Sequence, residues 1–124
     1  MKSINVTNSA APIGPYSYAV QAGNFLFVSG QVCRDSNGVM HNENIKAETT
    51  QVMTNIKNIL EAAGLTMANI AKTTIFLTSM DDFAQVNEVY GSFFTGNYPA
   101  RETVQVSRLP LNVNIEVSVI AVIK

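Results

Sequence analysis

Apolar positions along the chain repeat first with the period of a strand and then with that of a helix. Tyr18 to Ala22 and Phe25 to Val32 read as two strands, and Gly23-Asn24 between them is a two-residue hairpin signal. Phe25-Leu26-Phe27-Val28 is apolar on both faces, which suits a central strand, and Asp35-Ser36-Asn37-Gly38 marks the next turn. From Asn44 to Ala63 the period changes. Ile45, Thr49, Val52, Met53, Ile56, Ile59, Leu60 and Ala63 fall on one stripe at spacings of three and four. Asn44 is placed to cap this helix and Gly64 to end it. Ile70 to Leu77, rich in β-branched residues, is a further strand. Thr78-Ser79-Met80-Asp81-Asp82 supplies a cap and acidic residues for a second helix, striped by Phe83, Val86, Tyr90, Phe93 and Phe94 and ending near Gly96. Arg101 to Val106 and Val113 to Ile123 are the closing strands, and a short opening strand fits Ser3 to Val6.

The order β-β-α-β-α-β-β predicts an α+β fold, a single mixed sheet with both helices packed on one face. The opposite sheet face then has to be polar or meet another subunit. The chain of 124 residues is one domain's worth, so residues 1–124 read as a single domain. Ala10-Ala11-Pro12-Ile13-Gly14-Pro15 lies too near the start to be a linker, and its prolines mark an ordered loop.

Composition narrows the function classes. Charged residues make up 14% of the chain, well below the usual ~25%, which a subunit-covered surface or a neutral polar one would both explain. The eight Lys and Arg are scattered and the net charge is −1, so nothing resembles a basic nucleic-acid footprint. No apolar stretch has the length of a membrane span, and the opening residues lack the apolar core of a signal peptide. The cytoplasm is the expectation. One cysteine, Cys33, and one histidine, His41, make neither a disulfide framework nor a usual zinc site, so no metal is expected. With a single histidine no nucleophile triad can be built. His41 reads as a surface residue. Cys33, just after a strand, reads as a small semi-buried filler or a reactive thiol.

The closing strands carry the most informative pattern. Arg101, Thr103 and Gln105 share one face of their strand, with Glu102, Val104 and Val106 on the other. In the last strand Val113, Ile115, Val117, Val119 and Ala121 form the apolar face, opposite Asn114, Glu116 and Ser118. If Ser107 to Asn112 join the two strands as a hairpin, Glu116 faces Thr103 and Arg101 faces Ser118. Arg101 and Glu116 are then diagonal neighbours roughly 7–8 Å apart. This spacing fits a cross-strand ion pair on a solvated face. It also fits a guanidinium that grips a ligand carboxylate beside an acid that holds a water.

Several motifs in order add to this. Ala11-Pro12-Ile13-Gly14-Pro15-Tyr16-Ser17, Phe27-Val28-Ser29-Gly30-Gln31, Asn55 to Leu65, Val86-Asn87-Glu88-Val89-Tyr90, and Tyr98-Pro99-Ala100-Arg101 followed by Ile115-Glu116-Val117 resemble the Rid/YjgF family. The resemblance runs from about Ala11 to Val122. It implies a chorismate-mutase-like, YjgF-like fold assembled as a trimeric barrel with clefts between subunits. It implies no cofactor, and hydrolysis of reactive 2-imino acids to 2-keto acids. By position, Arg101 would bind the substrate carboxylate and Glu116 would hold the attacking water. Tyr16, Ser29, Gly30, Asn87 and Thr103 would line the cleft. Many relatives carry a small residue and then Cys after the arginine, whereas this chain has Glu102 and Thr103, which removes cysteine chemistry there. Rival functions among relatives are a ribonuclease or translation inhibitor, and a non-catalytic, chaperone-like ligand-binding trimer. The acidic balance and the lone His41 argue against the first.

Overall fold

The structure is a computed structural model that describes residues 1–7 and 9–123. Its elements, in chain order, are β1 (Lys2–Ser3), β2 (Ala19–Ala22), β3 (Phe25–Gln31), α1 (Ile45–Ala62), β4 (Ile70–Leu77), α2 (Phe83–Ser92), β5 (Ala100–Gln105) and β6 (Ile115–Val122). The α+β fold, with one mixed sheet and both helices on one face, is as the periodicity implies. Asn44 caps α1, its Oδ1 accepting from the Ala47 amide at 2.8 Å. Gly64 follows the helix at φ 77°, a left-handed value that glycine adopts without steric cost. The β2–β3 hairpin turns at Gly23-Asn24. The second helix ends four residues earlier than expected. Phe93 and Phe94 lie past it, in a turn whose amides bond back to Tyr90 and Gly91. The opening strand is Lys2–Ser3 rather than Ser3 to Val6.

The core forms between α1 and the sheet. Val52, Met53, Ile56, Ile59 and Leu60 pack on Leu26, Val28, Ile75, Leu77, Ile115, Val117 and Val119, all buried. The sheet's other face is left bare by the helices and is mixed in character, with Lys72 and Glu102 3.5 Å apart near its edge beside a broad apolar area. Phe25 and Phe27 are 46% and 44% exposed, Val104 is 44% exposed, and half-buried Phe76 and Ile120 lie on the same face.

Strand order is β1-β2-β3-β6-β4-β5, and it overturns the expected closing hairpin. Strand β6 does not pair with β5. It runs antiparallel between β3 and β4, while β5 lies parallel to β4 at the sheet edge. The physical reason is in the connections. Strand β4, helix α2 and strand β5 form one βαβ unit, whose helix carries the chain back so that the two strands run parallel. β3, α1 and β4 form a second such unit with one strand position left open between its strands. The final strand fills that opening and buries an apolar face that an edge position would leave half bare.

One buried group escaped the apolar pattern. Glu48 of α1 is fully buried, and its carboxylate accepts from the Asn114 amide at 2.7 Å, the Asn114 side-chain nitrogen at 2.8 Å and the Ile115 amide at 3.2 Å. These donors fix the entry to β6 against α1. Each buried donor left without an acceptor costs about 1–3 kcal/mol, partly offset here by removal of a buried charge. Glu48→Leu is therefore expected to lower the unfolding free energy by roughly 2 kcal/mol or more. Denaturant unfolding at fixed protein concentration checks this, and a loss within experimental error would contradict it.

Candidate active site

Two clusters emerge, one on each face of the sheet. The first is built by α2 over β5. Phe83, Asn87 and Tyr90 follow one another at spacings of four and three, so they share a helix face. Arg101 stands in register with Thr73 of β4, on the helix-covered side. Its Nη1 donates to Asn87 Oδ1 at 2.7 Å. Its guanidinium carbon lies 5.1 Å from the centre of the Tyr90 ring and 5.6 Å from that of Phe83. Among the described residues Arg101 forms no ion pair, and only one of its five N–H donors is engaged. Asn87, Tyr90, Gly91, Tyr98, Pro99 and Arg101 line an open cavity of about 350 Å³. Thr103, two residues along the same face of β5, has a buried hydroxyl with no hydrogen-bond partner.

The second cluster surrounds Glu116 on the bare face. The β3–β6 register shifts between Val28 and Gln31, and Gly30 falls in that irregularity. A Cβ on Gly30 would lie 2.7 Å from Glu116 Cδ, so the glycine makes room for the carboxylate. Ser29 Oγ donates to the Ser17 carbonyl at 2.6 Å. Tyr18 Oη donates to the Ala10 carbonyl, and Arg34 Nη1 donates to that of Ala11 at 3.0 Å. These bonds pin the proline-bearing loop so that Ile13 and Tyr16 wall a cavity of about 260 Å³ with Ser29, Gly30, Leu111 and Glu116. Burial raises the Glu116 carboxyl above its ordinary range. Leu111 and Asn112 are both left-handed, at φ 60° and 54°. Non-glycine residues held this way cost of order 1–3 kcal/mol each. Arg108 Nε on Asn112 Oδ1 at 2.9 Å, and Glu48 on the amides of Asn114 and Ile115, hold the turn in place.

Arg101 and Glu116 are not diagonal neighbours. Arg101 is in register with Thr73, which pairs with Val119, whereas Glu116 pairs with Phe76. Two strand spacings across and three residues along put their Cα atoms about 14 Å apart, on opposite faces. An ion pair between them within one chain is ruled out. Of the expected site residues, Asn87 joins Arg101, while Tyr16, Ser29 and Gly30 join Glu116. Thr103 shares Arg101's face without lining its cavity.

Sequence reasoning missed Ile13 and Leu111 as walls, and it took Phe83 and Tyr90 only as core. The helical spacing of Phe83, Asn87 and Tyr90 was a usable signal. The left-handed turn carried none, since leucine is the wrong residue to announce it. His41 is not a plain surface residue: its Nε2 meets Asp35 Oδ2 at 2.7 Å, and this contact draws the Asp35 carboxyl below its usual range. Cys33 is fully buried. Burial, with the Glu48 charge adding to it, pushes its thiol up to about 11, which makes it a filler rather than a nucleophile. Among the described residues no three His, Cys, Asp or Glu side chains gather as a metal site would require. No helix among the described residues is long and apolar enough to cross a membrane.

The family model described as endoribonuclease L-PSP matches residues 6–123. The chain belongs to this family, that of the Rid/YjgF proteins. A RutC family protein of Pyrococcus horikoshii is 50% identical to it, over 98% of each chain. A Salmonella typhimurium protein named 2-iminobutanoate/2-iminopropanoate deaminase is 43% identical, over 98% of this chain and 97% of its own. The crystal structure of the Escherichia coli YjgF gene product superposes with a TM-score of 0.94 at 41% identity, each chain covered completely. A Rid/YjgF chain thus carries its guanidinium and its raised carboxyl in separate cavities.

The raised carboxyl fixes a sign. The neutral form of Glu116 is favoured in the folded chain, so on raising the pH the unfolded chain loses this proton first. Folding stability then falls from about pH 4.3 upward until Glu116 itself ionises. Glu116→Gln removes that loss. The variant is expected to melt above the wild type at pH 7 and to match it near pH 3. Equal melting temperatures at pH 7 would show that burial of this carboxylate carries no cost.

Proposed function

We propose that the protein hydrolyses 2-imino acids to 2-keto acids and ammonia, at sites shared between neighbouring copies in a homotrimer. The observation that carries this reading is the state of Arg101: a half-buried guanidinium, held by Asn87 and two rings, with no carboxylate partner among the described residues. It is an anchor prepared for a carboxylate that must come from a ligand. The deaminase name of a relative 43% identical over nearly the whole chain supports the same chemistry. The apolar sheet face around Phe25, Phe27 and Val104 supports burial against other copies, and a neighbour can then supply the Glu116 that Arg101 cannot reach in its own chain.

In this mechanism the guanidinium fork binds the substrate carboxylate and presents the C=N carbon, already electrophilic, to a water held by Glu116. The raised carboxyl keeps Glu116 closer to the operating pH, where it exchanges protons with least penalty. Its carboxylate takes a proton as the water oxygen bonds to carbon. The electron pair of the C=N π bond moves to nitrogen, which gains a proton to give a carbinolamine. The C–N bond then breaks, the nitrogen leaves as ammonia, and the hydroxyl proton is lost as the keto group forms. No redox step is involved, and orientation supplies several kcal/mol of the acceleration. Such imines arise when the enamine products of dehydratases tautomerise. An endoribonuclease role finds less support. The sequence pI is about 5.7, and the single histidine is engaged by Asp35.

A threonine dehydratase coupled to the protein tests the proposal by the rate of keto-acid release. Wild type is expected to accelerate release over the uncatalysed rate. Arg101→Ala leaves a ligand carboxylate unpaired, at a cost of about 2–5 kcal/mol or roughly 30-fold to several thousand-fold in kcat/KM. Arg101→Lys recovers little, because a point charge does not reproduce the fork. Near-normal hydrolysis by folded Arg101→Ala would remove the residue from the mechanism.

A further inference from the structure

In the proposed hydrolysis Phe83, Tyr90 and Thr73 touch neither the substrate nor the water, yet all three are organised around Arg101. Phe83 and Tyr90 set their rings 5.6 Å and 5.1 Å from the guanidinium carbon. Tyr90 is itself tethered: it is 5% exposed, and its hydroxyl donates to Oγ1 of fully buried Thr73 at 3.0 Å. Thr73 is also the register partner of Arg101. Ring, hydroxyl and guanidinium thus form a closed circuit joining α2, β4 and β5. A guanidinium offers two kinds of surface. Its faces stack on rings, and its edge carries the N–H donors. Here rings contact it while Asn87 takes one donor, which leaves two adjacent donors for a carboxylate. Core packing alone would call for apolar side chains here, without a threonine buried to receive the tyrosine hydroxyl.

We propose that Phe83 and Tyr90 are positioning residues, which hold the Arg101 guanidinium in the plane that receives the ligand carboxylate, with the Thr73 hydroxyl anchoring the Tyr90 ring. This rests on the reading of Arg101 as the carboxylate anchor. It makes the aromatic character of positions 83 and 90 a determinant of carboxylate affinity.

The test measures binding of 2-oxobutanoate by calorimetry, together with KM and kcat for imine hydrolysis. It uses the intact protein and the variants Phe83→Leu, Tyr90→Leu, Tyr90→Phe and Arg101→Ala, with thermal melts to follow folding. Loss of one ring contact is expected to weaken 2-oxobutanoate binding and to raise KM by about 3- to 30-fold, with kcat changed less. Tyr90→Phe keeps the ring and is expected to bind within about threefold of wild type while melting lower, because Thr73 loses its partner. If Tyr90→Leu does not fold, Phe83→Leu decides. Wild-type affinity and KM in folded Phe83→Leu, with binding abolished in Arg101→Ala, would overturn the positioning role and leave the anchor standing. Wild-type affinity in Arg101→Ala would overturn the anchor itself, and this inference with it.

Discussion

One strand decides what this chain can and cannot do alone. Because β4 lies between β5 and β6, Arg101 and Glu116 sit two strands apart. Because side chains alternate along a strand, their registers with Thr73 and Phe76 send them to opposite faces. No choice of rotamer brings the two together across the sheet. Among the described residues the same constraint leaves Arg101 without an acid and Glu116 without a cation, which suits both groups to a ligand.

What holds each half differs in kind. The Arg101 half rests on regular structure: a helix face at spacings of three and four, stacked on parallel strands. Its precision comes from rings and from a side-chain amide. The Glu116 half rests on irregular structure: a register shift at Gly30, a proline-bearing loop pinned by Tyr18 and Arg34, and a left-handed turn at Leu111. That half pays for its shape in backbone strain and carboxylate burial, and buried Glu48 stabilises it by clamping the chain just before Glu116. Stability and function therefore pull against each other at Glu116, whereas at Arg101 packing and binding favour the same arrangement.

The element order, the two faces of each closing strand and the caps of α1 were legible in the sequence, because they depend on local periodicity and on residues such as Asn44 and Gly64, whereas Asp82 before α2 makes no side-chain cap bond and Ser79 instead caps the short turn ahead of it. The neighbours of β6 were not. Alternation says which face of a strand is apolar but is silent about which strand lies beside it, so adjacency in sequence was mistaken for adjacency in the sheet. The βαβ arrangement of β4, α2 and β5 held the corrective signal, since it implies that β5 pairs with β4. Glu48 was illegible for a different reason: an acid beside an apolar stripe reads as a solvated edge, and only the distant Asn114 reveals its partners. Strand alternation singled out Arg101 and Glu116 and motif resemblance supplied their expected roles, but neither gave the separation that divides them between two faces.

The central claim is that catalysis needs Arg101 and Glu116 from two different copies. Its most direct test mixes two inactive proteins, Arg101→Ala and Glu116→Gln, under conditions that exchange subunits, and measures imine hydrolysis in the mixture. A shared site predicts that activity returns, because some interfaces then pair an intact Arg101 with an intact Glu116. A mixture with demonstrated subunit exchange that stays as inactive as its parents would contradict the claim.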